Sequence, residues 1–198
     1  QRLASENTKL RNELIRFETS LQLKSDDSFT KVQMSRIAAI IPNYYIISGK
    51  VISNSIANTR NYIIVNKGLR DGIVKDMGVM SDKGPIGMVI EVSESYSCIM
   101  SFINKDAIFS ARVKSTDHVG QLKWAGYDPR IADFDEIPKH IKLKRGDEIV
   151  TSGYSSYFPE GIAIGRVISQ KENKGNFANI KVMLYNDFSS LNYVYFIR

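Results

Sequence analysis

Gly146-Asp-Glu-Ile-Val-Thr-Ser-Gly153, followed shortly by Phe158-Pro-Glu-Gly-Ile-Ala-Ile-Gly165, decides the reading of this chain. A short apolar strand over Glu148–Ser152 ends in a glycine turn. A loop follows, and Pro159 and Gly161 punctuate the entry into a second strand over Ile162–Ser169. Glycine supplies the positive-φ positions that tight β turns need, and proline fixes φ without donating to the ladder. Asn66-Lys-Gly-Leu-Arg-Asp-Gly72 has the same character.

Working outward, the chain from Tyr44 reads as short strands with turn signals every eight to twelve residues. The further strands are Tyr45–Ser53, Asn61–Asn66, Gly78–Ser81, Ile86–Val92, Ser97–Ile103, Ile108–Lys114, Val119–Trp124, Ala178–Leu184 and Tyr193–Ile197. Ile, Val and Tyr dominate them, as a pleated, half-buried surface prefers. Asp82-Lys-Gly-Pro is the hairpin turn between two of them. No long helical window interrupts the series, which argues against parallel βαβ architecture and for antiparallel barrels or sandwiches. So many strands exceed one small barrel, and two lobes are expected, over about 44–115 and 116–198, with strands free to exchange between them. Ala125–Leu143, with Gly126, Asp128-Pro129 and Pro138, reads as a long exposed excursion.

The N-terminus is different. Leu3, Asn7, Leu10, Leu14, Phe17 and Leu21 alternate gaps of four and three, the a/d seam of a coiled coil over residues 1–24. Asn7 at an a position fixes register and favours two strands. The alternative is one amphipathic helix packed on its own domain. Ser25-Asp26-Asp27-Ser28 breaks the seam, and within a linker over 25–43 a shorter helical piece runs from Phe29 to Ile40, ended by Pro42. The chain starts with Gln1 inside a helical pattern, so it reads as a piece of a longer protein.

At 198 residues and 43% hydrophobic, the chain can bury a real core, and its composition is not that of a disordered segment. A net charge of +6 favours anionic partners. No apolar run reaches the length of a membrane span. The single cysteine, Cys98, allows no intrachain disulfide; its apolar neighbours suggest an inert core thiol.

Ser152, Asp147, His118 and His140 raise the question of a hydrolytic triad. Ser152 lies in Thr-Ser-Gly, not in a nucleophile elbow, and both histidines fall in polar segments. His118 beside Asp117 lacks a second imidazole nearby, a weak metal signal. The carboxylate pairs Asp26/Asp27 and Asp135/Glu136 read as solvated charge. The Gly84–Gly87 and Gly68–Gly72 spacings lack a Walker lysine. No catalytic, cofactor or metal residue is assigned. Lys139, Lys142, Lys144 and Arg145 form the one dense basic cluster, beside His140. Aromatics are not interleaved with it for base stacking, so a solvated rim, or contact with an acidic partner or lipid surface, is the better reading than nucleic acid.

Taken in order, these motifs resemble the rod-shape-determining MreC family of the bacterial cell-elongation machinery. The matching pieces are the Leu3–Leu21 heptads with Glu6-Asn7-x-x-Leu10-Arg11, and Gly49-Lys-Val-Ile-Ser-Asn-Ser55. Then come Asn61 to Gly72 with Asn66 and Gly68, Asp76-Met-Gly-Val79, Gly84-Pro-Ile-Gly87, and Gly120-x-Leu-x-Trp124. Gly146-Asp147-x-Ile-Val-Thr151-Ser152-Gly153 and Phe158-Pro159-x-Gly161-Ile-x-Ile-Gly165 close the set. The resemblance implies a short cytoplasmic tail and one transmembrane anchor missing here, a coiled coil on the periplasmic side of the inner membrane, and two β lobes like a chymotrypsin-type double barrel without a triad. It also implies a non-catalytic scaffold that forms a homodimer or higher assembly. Its implied partners are the elongation penicillin-binding protein, its transglycosylase partner and MreD. Leu69-Arg70 and Tyr154–Tyr157 depart from the family pattern. Tyr154, Tyr157 and Phe158 form an aromatic loop expected either to dock a partner or, for Phe158, to plug a barrel end. A polyanion-binding β protein and a cell-wall hydrolase-like enzyme are the competing functional readings.

Overall fold

A computed structural model of the chain describes residues 35–39, 41, 44–172 and 176–198. The heptad seam Leu3 to Leu21 lies outside the described residues, as does most of the linker. Residues 35–39 are helical, with Ile37 and Ile41 buried against the core.

Twelve strands follow. They are β1 (Ile46–Asn54), β2 (Tyr62–Val65), β3 (Gly78–Ser81), β4 (Gly84–Val92), β5 (Ser97–Ser101), β6 (Ile108–Val113), β7 (Val119–Trp124), β8 (Ile131–Asp135), β9 (Glu148–Thr151), β10 (Ala163–Glu172), β11 (Ala178–Leu184) and β12 (Tyr193–Ile197). They close into two antiparallel barrels, in the orders β1-β12-β3-β4-β5-β2 and β10-β11-β8-β7-β6-β9. Closure satisfies every strand without an exposed sheet edge, so loops and outer faces are what a partner can meet.

The alternation that marks the strands also fills the interiors. In β11, Ala178, Ile180, Val182 and Leu184 are buried while Asn179, Lys181 and Met183 face outward. In β5 the buried residues are Ser97, Ile99 and Ser101, with Cys98 and Met100 outside. Register shifts in β1 between Val51 and Ser53, in β4 between Val89 and Glu91, and in β10 between Val167 and Ser169 are the bulges that let six short strands bend into a barrel.

Two features of the topology refine the sequence reading. A division at 115/116 is crossed twice: β6 lies in the second barrel and β12, the last strand, in the first. Short strands of similar composition carry no label of barrel membership: β12 is placed by long-range pairing such as Ile47 with Phe196, and β6 by its hairpin with β7. Second, the Ala125–Leu143 excursion contains β8, paired with β7 and β11. Its alternation rests on only two inward residues, Ala132 and Phe134, set among Ile131, Asp133 and Asp135.

The barrels share one hydrophobic core cluster. Phe102, just after β5, stacks on Phe109 of β6 at 4.5 Å and 7°. Phe158 and Phe188 add tilted contacts at 6.1 Å to Phe109 and 6.3 Å to Phe102. Such ring pairs contribute about 0.5–1.5 kcal/mol beyond their area burial.

Candidate interaction surface

The loop from β9 to β10 is built by its own hydroxyls. Thr151 Oγ1 donates to the Pro159 carbonyl at 2.5 Å and accepts from the Ile162 N–H at 2.9 Å, closing the loop at its neck. The Gly161 N–H donates to the Thr151 carbonyl at 3.0 Å. Ser152 Oγ bonds Ser110 Oγ at 2.8 Å and accepts from the Tyr154 N–H at 3.2 Å. Gly153 turns the chain with φ of 78°, a left-handed position that a side chain strains. The motif thus spends its serine and threonine on holding a loop, and the partner of Ser152 is another serine.

Arg112 of β6 fastens the loop from the side, pairing Glu160 at 2.6 Å and Asp117 at 3.1 Å. The loop then crosses to the first barrel. A Cβ on Gly78 of β3 would lie 2.0 Å from the Tyr157 carbonyl oxygen, and one on Gly84 would lie 2.2 Å from that of Ala163. Backbone-to-backbone approach this close demands glycine. Asn186, nearly fully buried, completes the junction. Its side chain donates to the Pro85 carbonyl at 2.8 Å and accepts from the Ser81 hydroxyl.

The aromatic loop divides accordingly. Phe158 is 3% exposed and packed on Phe109, so it belongs to the barrel junction and is not available to a partner. Tyr154 is 80% exposed and Tyr157 is half-buried. The apolar character that suggested docking is in Phe158 the price of joining two barrels.

The remaining turn residues hold the barrels' own connections. Asn66 Oδ1 accepts from the Lys50 N–H at 2.7 Å. Asp71 accepts from the Gly68 N–H at 3.1 Å and pairs with Lys67 at 2.6 Å, capping a short 3-10 turn that Gly72 ends. Burial works against ionisation of Asp71, but the Lys67 ammonium and the Gly68 N–H hold its carboxyl below the usual range. Gly87 and Gly165 lie against the Met100 and Met183 carbonyls of neighbouring strands. Gly146 opens β9 beside Asp147, whose carboxylate accepts from the Lys144 N–H at 2.8 Å. These residues are not brought together into one site.

Cys98 departs from expectation. It is half-buried on the outer face of β5, lining a groove of about 190 Å³ with Ile64, Glu91 and Tyr96. Burial, then the Glu91 carboxylate, pushes its thiol up, away from the reactive thiolate. Residues missed at the sequence level are Phe102 and Phe109, which lie inside expected strands, and Asn186, which lies outside every expected element; no local signal distinguishes them. Among the described residues no group of acidic, histidine or cysteine side chains converges as a metal site, and no helix is long and apolar enough to cross a membrane.

The rod shape-determining protein MreC barrel-core model matches residues 51–198. The chain belongs to the MreC family. It is similar to the cell shape-determining protein MreC of Listeria monocytogenes, 27% identical over 82% of this chain and 56% of that protein. The Bacillus subtilis protein is 29% identical over 82% of this chain and 60% of its own length. The chain thus spans little more than half of the curated relatives it matches. Among solved structures, a Listeria MreC superposes with a TM-score of 0.73 at 24% identity over 92% of each chain. The Pseudomonas aeruginosa MreC crystal structure gives 0.71 at 19% identity, over 77% of this chain and 99% of that one. MreC from Helicobacter pylori, solved in complex with a penicillin-binding protein, gives 0.60 at 15% identity, over 78% of this chain and 99% of that one. These likenesses establish the double-barrel fold. The family is one of cell shape-determining proteins, and another solved relative is described as the major periplasmic domain of MreC.

Proposed function

We propose that this chain is the non-catalytic scaffold of a bacterial cell-elongation complex, held at the periplasmic face of the inner membrane by an anchor outside this sequence. In this reading its barrels dock an elongation penicillin-binding protein, and the transglycosylase and MreD join the same assembly. Residues Leu3 to Leu21 pair two copies through a coiled coil. The observation that carries the proposal is the match of the MreC barrel core to residues 51–198. The Helicobacter pylori complex supports the choice of first partner. The use of Ser152 as a loop fastener to Ser110 supports a binding rather than hydrolytic role. A short coil is marginal alone, but tethering two copies to one membrane raises their effective concentration and lets weak contacts suffice.

Affinity capture from detergent-solubilised envelopes, with the whole chain and with a version lacking residues 1–43, tests the reading. The whole chain is expected to enrich the penicillin-binding transpeptidase and shape-determining membrane proteins. The truncated chain is expected to run as a monomer in sedimentation equilibrium and to capture less. Recovery of only nucleic acid and ribosomal proteins contradicts the scaffold; a dimeric truncated chain contradicts the coiled-coil seam alone.

A further inference from the structure

The strand order puts three connections at one end of the second barrel: the β6–β7 hairpin, the β8–β9 loop and the β10–β11 hairpin. The first barrel lies at the other end, reached through residues 102–107, 152–162 and 185–192. The remote end carries the basic cluster of the sequence. Lys139 is half-buried there, and Lys142, Lys144 and Arg145 are exposed. Ile141 and Leu143 between them turn inward against the core. The backbone is fixed in this posture: the Leu143 N–H donates to the Gln170 side chain and Gln170 donates back to the Ile141 carbonyl, both at 2.8 Å. The Gly146 N–H reaches the Val167 carbonyl at 2.8 Å. Lys144 and Arg145 are thus displayed on one side of a hydrogen-bonded loop. Its carboxylates stand at its ends, Glu136 exposed and Asp147 turned onto the Lys144 N–H.

A second, independent feature borders the cluster. Pro138 bridges to Phe177, which immediately precedes β11 and leaves 52% of its surface exposed. A large ring beside a display of lysine and arginine is the chemistry of a surface that meets anionic headgroups with its charges and the acyl boundary with its aromatic. Nucleic acid fits less well, because a lone ring offers no series of stacking platforms.

We propose that this end of the second barrel binds an anionic phospholipid surface, with Lys144 and Arg145 on the headgroups and Phe177 in the interface. Each such cation near an anionic leaflet strengthens binding about fivefold. The test is co-sedimentation of the whole chain with phosphatidylcholine vesicles, with and without phosphatidylglycerol. Binding is expected only with phosphatidylglycerol and is expected to fall as salt is raised. Lys144→Gln with Arg145→Gln is expected to weaken it about 25-fold. Phe177→Ser is expected to weaken it by an amount that salt does not change. Lys50→Gln with Lys75→Gln removes the same charge from exposed sites of the first barrel and is expected to leave binding as it was.

Three results overturn the proposal: equal binding to both vesicles, an equal loss in the Lys50/Lys75 control, or retention by DNA or polyglutamate without vesicle binding. Thermal midpoints of the variants matching the unsubstituted chain keep a folding defect from mimicking a binding loss.

Discussion

The two barrels solve the same problem with opposite exteriors. Each closes six antiparallel strands over a core of aliphatic residues. On the first, the outward side chains of β2, β4 and β5 include Tyr62, Ile64, Met88, Ile90, Cys98 and Met100, half-buried, with Glu91 the one charge among them. On the second, the outward faces of β7, β8 and β11 carry ion pairs instead. Lys123 meets Asp135 at 2.6 Å, and Lys181 meets Asp133 at 2.5 Å and the Tyr127 hydroxyl at 2.8 Å. The difference teaches that inward positions specify the barrel and outward positions are free to diverge. Cross-strand pairs of either kind, apolar or ionic, support the same pleat.

What the barrels share is the junction, and the largest effects are expected there. Phe109→Ala removes the ring stacked on Phe102 and contacting Phe158, leaving a cavity at the junction of the two cores. A loss of about 3–5 kcal/mol is expected from urea unfolding. A loss below about 1 kcal/mol would mean that the barrels are stable independently of their contact. Gly78→Ala is expected to cost about 1–3 kcal/mol, because its methyl group meets a backbone carbonyl that cannot rotate away. The same substitution at Gly146, with no heavy atom within 4 Å of the new Cβ, carries only the positive-φ strain and is expected to cost less.

How far this was written in the sequence follows from the same contrast. Strand grammar is local: Val, Ile and Tyr alternation bounded by Gly, Pro and Asp marks β1, β3, β7, β11 and β12 to within a residue or so. Barrel membership is only partly local. The return of β12 to the first barrel depends on pairings far apart in sequence, such as Ser48 with Tyr195, which local turn signals do not encode, whereas β6 joins the second barrel through its hairpin with β7. Inside the candidate loop, Thr151, Gly153 and Pro159 were legible because turn chemistry restricts residue type. The destination of Phe158 was not, since an apolar ring between glycines fits a solvent-facing anchor and a buried wedge equally well until the first barrel is placed beside it.

On the exterior the expected effects are smaller. Lys181→Met removes the ammonium that Asp133 and Tyr127 share, at a position about a quarter exposed. A loss near 1 kcal/mol is expected, part of it from leaving the Asp133 carboxylate without its cation. The reciprocal change, Met100→Lys, places one charge on the apolar face of the first barrel between Tyr62 and Met88. If outward positions are interchangeable, it costs under about 1.5 kcal/mol and the protein stays monodisperse; a larger loss would show that the apolar face is part of what holds the first barrel.

The smallest effect has the sharpest signature. In the first barrel the Asp71 charge is held in a connection, where Lys67 and the Gly68 N–H bind its ionised form. Its carboxyl therefore titrates below its unfolded value. Stability from that difference is fully present above the unfolded value of about 3.9 and disappears as pH falls through the lower folded value. Asp71→Asn is thus expected to lower the urea midpoint at neutral pH, and the gap to the unsubstituted chain is expected to narrow from about pH 5 downward. A gap that stays constant through that window would show that Asp71 acts as a neutral cap, for which asparagine is a poor replacement in geometry rather than in charge. The pH dependence, not the size of the loss, therefore separates charge from shape in the turn that leads into β3.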